Sequence, residues 1–155
     1  MRHIAKGFSL IELLVTVSLV GILAAIAIPN FTSSIQSNKA DTEVSDLQRA
    51  LNYARLEAIN RGVTVRIAPT SGTAWTSELQ VYLASDANKK ALRTVAAMSS
   101  GAALVTAPNA AALDFNNLGG LIAPASAVIM TYTRGSTTKT VNICLTGRIV
   151  LGGSC

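Results

Sequence analysis

Few side chains in this sequence could do covalent chemistry. Its 155 residues include one histidine, His3, and two cysteines, Cys144 and Cys155. Histidine-based acid–base catalysis is thereby excluded from the body of the protein. The carboxylates are scattered, with no paired acids and no nucleophile beside a base. Gly119-Gly120 is a turn signal and nothing more. A metal site takes about four ligands, and neither histidines nor neighbouring carboxylates supply them. The sequence therefore predicts no catalytic residue, no metal and no cofactor. What remains is Glu12, a carboxylate inside an apolar run, and the two cysteines, which either pair or stay as free thiols.

The element that must position Glu12 is easily found. Phe8 to Pro29 holds 16 apolar residues among 22. The stretch 8–28 is 21 residues long, and about 20 span a bilayer as a helix. Arg2 and Lys6 precede it and should stay in the cytoplasm, which sends the following chain across the membrane. A cleaved secretory signal is the alternative, with Ala25-Ile26-Ala27 as an A-x-A-like site. Length and Glu12 favour a retained helix, because a charge at the bilayer centre costs roughly 2.5–3.5 kcal/mol and marks function when it is kept. Gly21 lowers helix propensity by ~1 kcal/mol, and Pro29 either ends the spanning helix or kinks it.

From residue 30 onward, 11 basic side chains face seven acidic ones, within a formal net charge of +5 for the whole chain. That is too mild to announce nucleic-acid binding. Val44, Leu47, Leu51, Ala54 and Ala58 recur at spacings of three and four, the stripe of an amphipathic helix that Arg61-Gly62 stops. Beyond Gly62 the period becomes two. Val63 to Ile67, Leu79 to Leu83, Val128 to Tyr132, and Val141 with Ile143 read as strands, and Ile149-Val150-Leu151 as the last one. Turns are expected at 69–72, 85–90, 108–112, 119–120 and 134–137. The stretch 96–112 is Ala-rich and weakly patterned. A long helix followed by short strands predicts an α+β fold, with an antiparallel sheet packed on the helix.

Lys6-Gly7-Phe8-Ser9-Leu10-Ile11-Glu12-Leu13-Leu14-Val15 resembles the class III signal of type IV pilins and type II secretion pseudopilins. Ala27-Ile28-Pro29-Asn30-Phe31 is similar to the point where their first helix leaves the membrane. The resemblance implies cleavage between Gly7 and Phe8 by a prepilin peptidase, N-methylation of Phe8, and a permanent apolar helix whose Gly21–Pro29 stretch can loosen during assembly. Glu12 then faces a new cationic amine at Phe8, on its own or a neighbouring chain, and can report correct register. The segments are 1–7, a leader; 8–29, a transmembrane assembly helix; 30–62, its amphipathic continuation; and 63–155, a periplasmic β-rich head.

Residues 47–62, LQRALNYARLEAINRG, are similar to a helix of the GspH/FimT family, which holds H-type pseudopilins and FimU/FimT-type minor pilins. Trp75 and Gly147-Arg148 also sit where that family has a tryptophan and a Gly-Arg turn. The resemblance implies a minor pilin of a type IV pilus, acting in initiation of assembly and at the filament tip. Its partners are then other minor pilins and the major pilin, with the prepilin peptidase and an inner-membrane assembly platform. The protein would reside in the bacterial inner membrane, single-pass, before joining a filament. The alternative is the H-type pseudopilin of a type II secretion system. A second alternative is a DNA-capturing pilin for natural transformation, since some relatives use a late Gly-Arg-x-Arg loop. Here Val150 replaces the second arginine, and Arg148, Lys139 and Arg134 are the candidates for a modest basic edge. In an exported chain, Cys144 and Cys155 are expected to pair and to pin the last strand, with two free thiols as the alternative.

Overall fold

The computed structural model describes residues 8–155, so Arg2, His3, Lys6 and Gly7 lie outside the described residues. One helix, α1 (Leu10–Arg61), precedes nine strands. The chain divides into two compact units, with the boundary between Ile35 and Gln36.

In the first unit, the apolar side chains from Phe8 to Ile28 face outward; Phe8 is 83% and Leu10 80% exposed. The helical backbone continues through Gly21 and Pro29, so proline does not end it. The N-terminus of α1 is closed by Ser9 and Glu12. Leu13 N–H donates to the Ser9 carbonyl at 3.2 Å, and Ser9 N–H donates to Glu12 Oε2 at 3.4 Å. This S-x-x-E arrangement satisfies one of the donors that a helix start leaves orphaned.

In the second unit, Ala40, Val44, Leu47, Ala50, Leu51, Ala54 and Ala58 form the buried face of α1. Alanine at four of these positions leaves room for the strands' larger side chains. The helix stops where Gly62 takes a positive φ of 67°.

The strands form two antiparallel sheets where the sequence predicts one. Sheet A runs in the order β3 (Arg93–Val95), β2 (Leu79–Leu83), β1 (Val65–Pro69), β5 (Leu113–Phe115), β6 (Leu121–Ala123). Sheet B runs in the order β4 (Ala102–Ala107), β7 (Val128–Arg134), β8 (Thr137–Ile143), β9 (Ile149–Leu151). The helix stripe joins Val65, Ile67, Val81, Leu113 and Phe115 of sheet A and Val128, Met130, Tyr132, Val141 and Ile143 of sheet B in one core. Trp75 completes it, buried, with Nε1–H donating to the Ala110 carbonyl at 2.6 Å.

On the opposite face of sheet A, Arg66 and Asp114 are cross-strand partners joined by two hydrogen bonds of 2.7 Å. A bidentate pair of this kind fixes strand register as well as adding energy. The hydrogen bonds to Asp114 hold the Arg66 guanidinium firmly charged.

Candidate functional site

The exposed segment of α1 is built for a surrounding without water. Its hydroxyls turn back on the helix: Thr16 Oγ1 donates to the Leu13 carbonyl and Ser18 Oγ to the Leu14 carbonyl, both at 2.8 Å. Polar groups that satisfy themselves locally carry little penalty in lipid. A Cβ added at Gly21 would meet nothing within 4 Å. No packing among the described residues therefore requires glycine there. Among the described residues, Glu12 has one hydrogen-bond partner, the Ser9 N–H.

In the head, α1 is tied down by a polar cluster around Glu43. Tyr132 O–H donates to Glu43 Oε2 at 2.6 Å, and the Ser99 N–H and hydroxyl donate to Oε1 at 2.9 and 2.6 Å. Arg134 Nη2 lies 3.2 Å from Glu43 Oε1 and donates to the Ser99 carbonyl at 2.8 Å, while its Nε–H donates to Tyr132 Oη at 2.9 Å. Burial by itself would push the Glu43 carboxyl up, but the hydrogen bonds from Ser99 and Tyr132 and the Arg134 charge outweigh it and hold the group below the usual value of 4.5. Burial, and then the bond to Glu43, push the Tyr132 phenol up. The cluster links the helix to β7 and to the turn before β4. Composition could not reveal it, because Glu43 stands one residue before the apolar stripe and looks like an ordinary solvated acid.

A second tie lies near the C-terminal end of α1. Arg55 Nε–H donates to the Gly119 carbonyl at 3.1 Å. Gly147 packs directly on that carbonyl at φ 75°, where an added Cβ would collide with the Gly119 backbone. Arg55 and Gly147 both belong to the motifs quoted above, and their shared contact gives those motifs a structural reason.

The cysteines pair: Cys144 and Cys155 form a disulfide, with Cα atoms 5.3 Å apart. The closed loop contains β9, which pairs with β8 from Ile143↔Ile149 to Val141↔Leu151. Asn142 Nδ2 donates to the Gly153 carbonyl and Arg148 Nη2 to the Ser154 carbonyl, so the tail is held along its length.

The three basic candidates do not form an edge. Arg134 is 6% exposed and belongs to the Glu43 cluster. Lys139 is paired with Asp41 of α1. Arg148 is exposed but follows the far end of β8, whose seven residues at about 3.3 Å each put it some 20 Å from the β7–β8 turn. The expected basic edge is corrected on these grounds, because strand direction separates what sequence proximity suggested. No group of three or more His, Cys, Asp or Glu side chains able to hold a metal is found among the described residues.

A family model described as "Type II transport protein GspH" matches residues 43–147. The chain belongs to the GspH family. A second model, the prokaryotic N-terminal methylation motif, matches residues 2–28. The chain is 51% identical over 55 residues to a fimbrial protein of Pseudomonas aeruginosa, covering 34% of this chain and 36% of that one. It is 34% identical over 82 residues to the type IV narrow pilus major component PilA5 of Thermus thermophilus, covering 47% and 71%. The matched part thus spans about a third of the length of the first of these relatives.

Among solved structures, the type IV minor pilin FimU of Pseudomonas aeruginosa is similar with a TM-score of 0.64 at 20% identity, over 79% of this chain and 91% of that one. The minor pseudopilin EpsH of the Vibrio cholerae type 2 secretion system is similar with a TM-score of 0.54 at 15% identity, over 73% and 95%. At these identities the likeness is one of fold, and the fold is the pilin fold. The GspH family and this fold are those of structural pilins and pseudopilins, not of enzymes.

Proposed function

We propose that this GspH-family chain is a minor pilin of a type IV pilus that primes filament assembly and stays at the tip. The observation that carries the reading is the exposed apolar face of α1 from Phe8 to Ile28, a polymerisation surface that this chain alone leaves uncovered. Water would not tolerate so large a continuous patch; a bilayer, and then a bundle of like helices, would. The fimbrial relatives and the higher structural similarity to FimU than to EpsH support the pilus over the secretion system.

In this reading a prepilin peptidase cuts between Gly7 and Phe8 and methylates the Phe8 amine. Glu12 keeps its helix-capping bond and meets that cationic amine on a neighbouring chain during docking. Gly21 and Pro29 bracket a stretch of α1 that loosens as the helix moves from bilayer to filament. The head lies on the periplasmic side of the inner membrane until an assembly platform extracts the subunit.

The test is deletion of the gene with complementation, scoring surface pili by electron microscopy and exoprotein release in the same strains. Loss of pili with normal release is expected. Normal pili with blocked release would replace the reading by an H-type pseudopilin. Salt-sensitive retention of duplex DNA by the protein would revive the DNA-capturing alternative through Arg148.

A further inference from the structure

We propose that the β2–β3 edge of sheet A, with the exposed Lys89, Lys90 and Arg93, is a docking surface for a carboxylate-bearing face on the head of a different subunit of the same filament. Such docking requires only that the chain assembles with other pilins, in a pilus or a pseudopilus alike. Beyond residue 29, 11 basic side chains stand against seven acidic ones. Among the described residues, Arg49 pairs with Asp46, Arg61 with Glu57, Arg66 with Asp114, Arg134 with Glu43 and Lys139 with Asp41. The cations left without a carboxylate are Lys39, Arg55, Lys89, Lys90, Arg93 and Arg148, and half of them fall within the stretch 89–93. Arg55 and Arg148 donate to main-chain carbonyls elsewhere. The surplus charge of the head is therefore concentrated at one strand edge.

These three cations are held in place by their surroundings. Asp86, the acid nearest in sequence, closes the turn with its carboxylate, which accepts from the Asn88 and Lys90 N–H groups at 2.9 and 3.1 Å. Gln80 Nε2 of β2 donates to the Lys89 carbonyl at 2.6 Å. Next to Gln80, Val81 pairs with Arg93 across β2 and β3, which brings the cations to one edge. The Arg93 guanidinium lies over the Tyr53 ring of α1, 5.2 Å from its centroid, a cation–π contact that fixes the direction of the fork. Among the described residues, Lys89 is also the one non-glycine with a positive φ, 49°. A long side chain in the left-handed region is strained, and such strain persists at sites of function. Asn88, a residue type that adopts this region readily, stands one place too early to relieve it.

Charge selects the occupant. A second copy of this chain would bring the same cations, and among the described residues of the head Glu78 is the one acid that neither pairs with a cation nor closes a turn. A lone carboxylate does not answer three cations. Nucleic acid offers a long phosphate track and bases to stack, but the next cation in these strands, Arg66, is held by Asp114, and the nearby rings are taken: Tyr53 lies beneath Arg93 and Tyr82 is buried. A lipid surface needs a large apolar anchor, and among the described residues no large apolar side chain between Val63 and Val105 is exposed. A neighbouring head with clustered Asp or Glu meets the need, and the Arg93 fork receives one of its carboxylates. Unlike surfaces then meet, in a head-to-tail contact that lets α1 of both subunits run in the same direction.

The test puts a photo-crosslinking amino acid in place of Ala91, exposed and uncharged among the cations, in the full chain in cells, and maps the linked peptides by mass spectrometry. Linkage to a different filament subunit, at a segment carrying several carboxylates, is expected. Adding Lys89→Glu and Lys90→Glu should cut the yield at least about tenfold, since like charges then face each other. Replacing the linked carboxylates by lysine should restore it. Lys89→Asn removes one cation and relaxes the backbone, so linkage should fall while the melting temperature of the purified chain does not. Linkage to a second copy, to nucleic acid or to lipid would overturn the proposal, as would no linkage or a yield indifferent to charge reversal. A linked pseudopilin in place of a pilin would sink the pilus reading and leave this surface standing.

Discussion

Arg134 Nη2 lies 3.2 Å from Glu43 Oε1, joining residues 91 positions apart in sequence across the interface between helix and sheet B. Two further groups, the Tyr132 hydroxyl and Ser99, complete the cage around that carboxylate. Glu43→Ala leaves a buried guanidinium and phenol without their shared acceptor, and should cost about 3 kcal/mol, at the low end for breaking a buried pair. Urea unfolding of the wild type and variant measures it; a change under about 0.5 kcal/mol would show that the cluster is ornamental.

The same carboxylate sets an acid limb. Its folded-state value lies below the ordinary 4.5, so its contribution is complete above that value and fades as pH falls through the folded-state value. Thermal melts between pH 7 and 3 should therefore steepen below about pH 5. Glu43→Gln should flatten that part of the curve while lowering its plateau. An unchanged slope in the variant would place the acid sensitivity elsewhere.

Gly147 and Gly72 form a matched pair of glycines. Both have positive φ, 75° and 64°, but an added Cβ at Gly72 meets open space and at Gly147 meets the Gly119 backbone. Gly72→Ala should cost about 1 kcal/mol, the conformational strain alone. Gly147→Ala should cost at least twice that, and the excess should vanish from no rotamer adjustment, since the obstacle is backbone.

Removing the disulfide by replacing Cys144 and Cys155 with serine should lower stability by ~3 kcal/mol at most, the value for closing a loop of about this length. Amide exchange should quicken first in β9, whose three residues have β8 as their sole strand partner. Uniform loss of protection across the head would contradict a local pinning role.

Glu12 has a structural and a proposed assembly role that two substitutions separate. Gln retains an acceptor for the Ser9 N–H but no charge, whereas Val removes both. If charge matters to docking, both variants should be processed and membrane-resident yet fail to enter filaments. Incorporation of the Gln variant at wild-type levels would assign Glu12 to the helix cap alone. The readout is the ratio of variant in sheared filaments to variant in membranes.

Much of the fold was legible because apolar spacing maps directly onto burial. The stripe Val44, Leu47, Leu51, Ala54 and Ala58 is the buried face of α1, and β2, β7 and β9 fall where alternation or position placed them. The β-strands that sequence missed are those that alternation cannot mark. β3, β5 and β6 have three residues each, and β5 is buried throughout. β4 lies in the Ala-rich stretch, where small side chains carry no contrast between faces. The division into two sheets was hidden for the same reason, because β4 and β5 adjoin in sequence yet lie in different sheets. β1 begins two residues later than the pattern suggested, after the Gly62 turn, and extends through Pro69. At the site level, the cysteine pair was legible from its setting. Glu43 and Arg134 were not, since nothing in their flanking residues distinguishes a caged charge from a solvated one.

The ties between α1 and the rest of the head all run forward over long distances: Asp41 to Lys139, Glu43 to Ser99 and Arg134, Arg55 to Gly119. A ribosome delivers the helix first and these partners 56 to 98 residues later. Through that interval the stripe from Ala40 to Ala58 has no sheet to cover it, and contacts of such high sequence separation form slowly. The nascent subunit thus passes through a stage with two uncovered apolar surfaces, and only the one from Ala40 to Ala58 is later covered by its own strands.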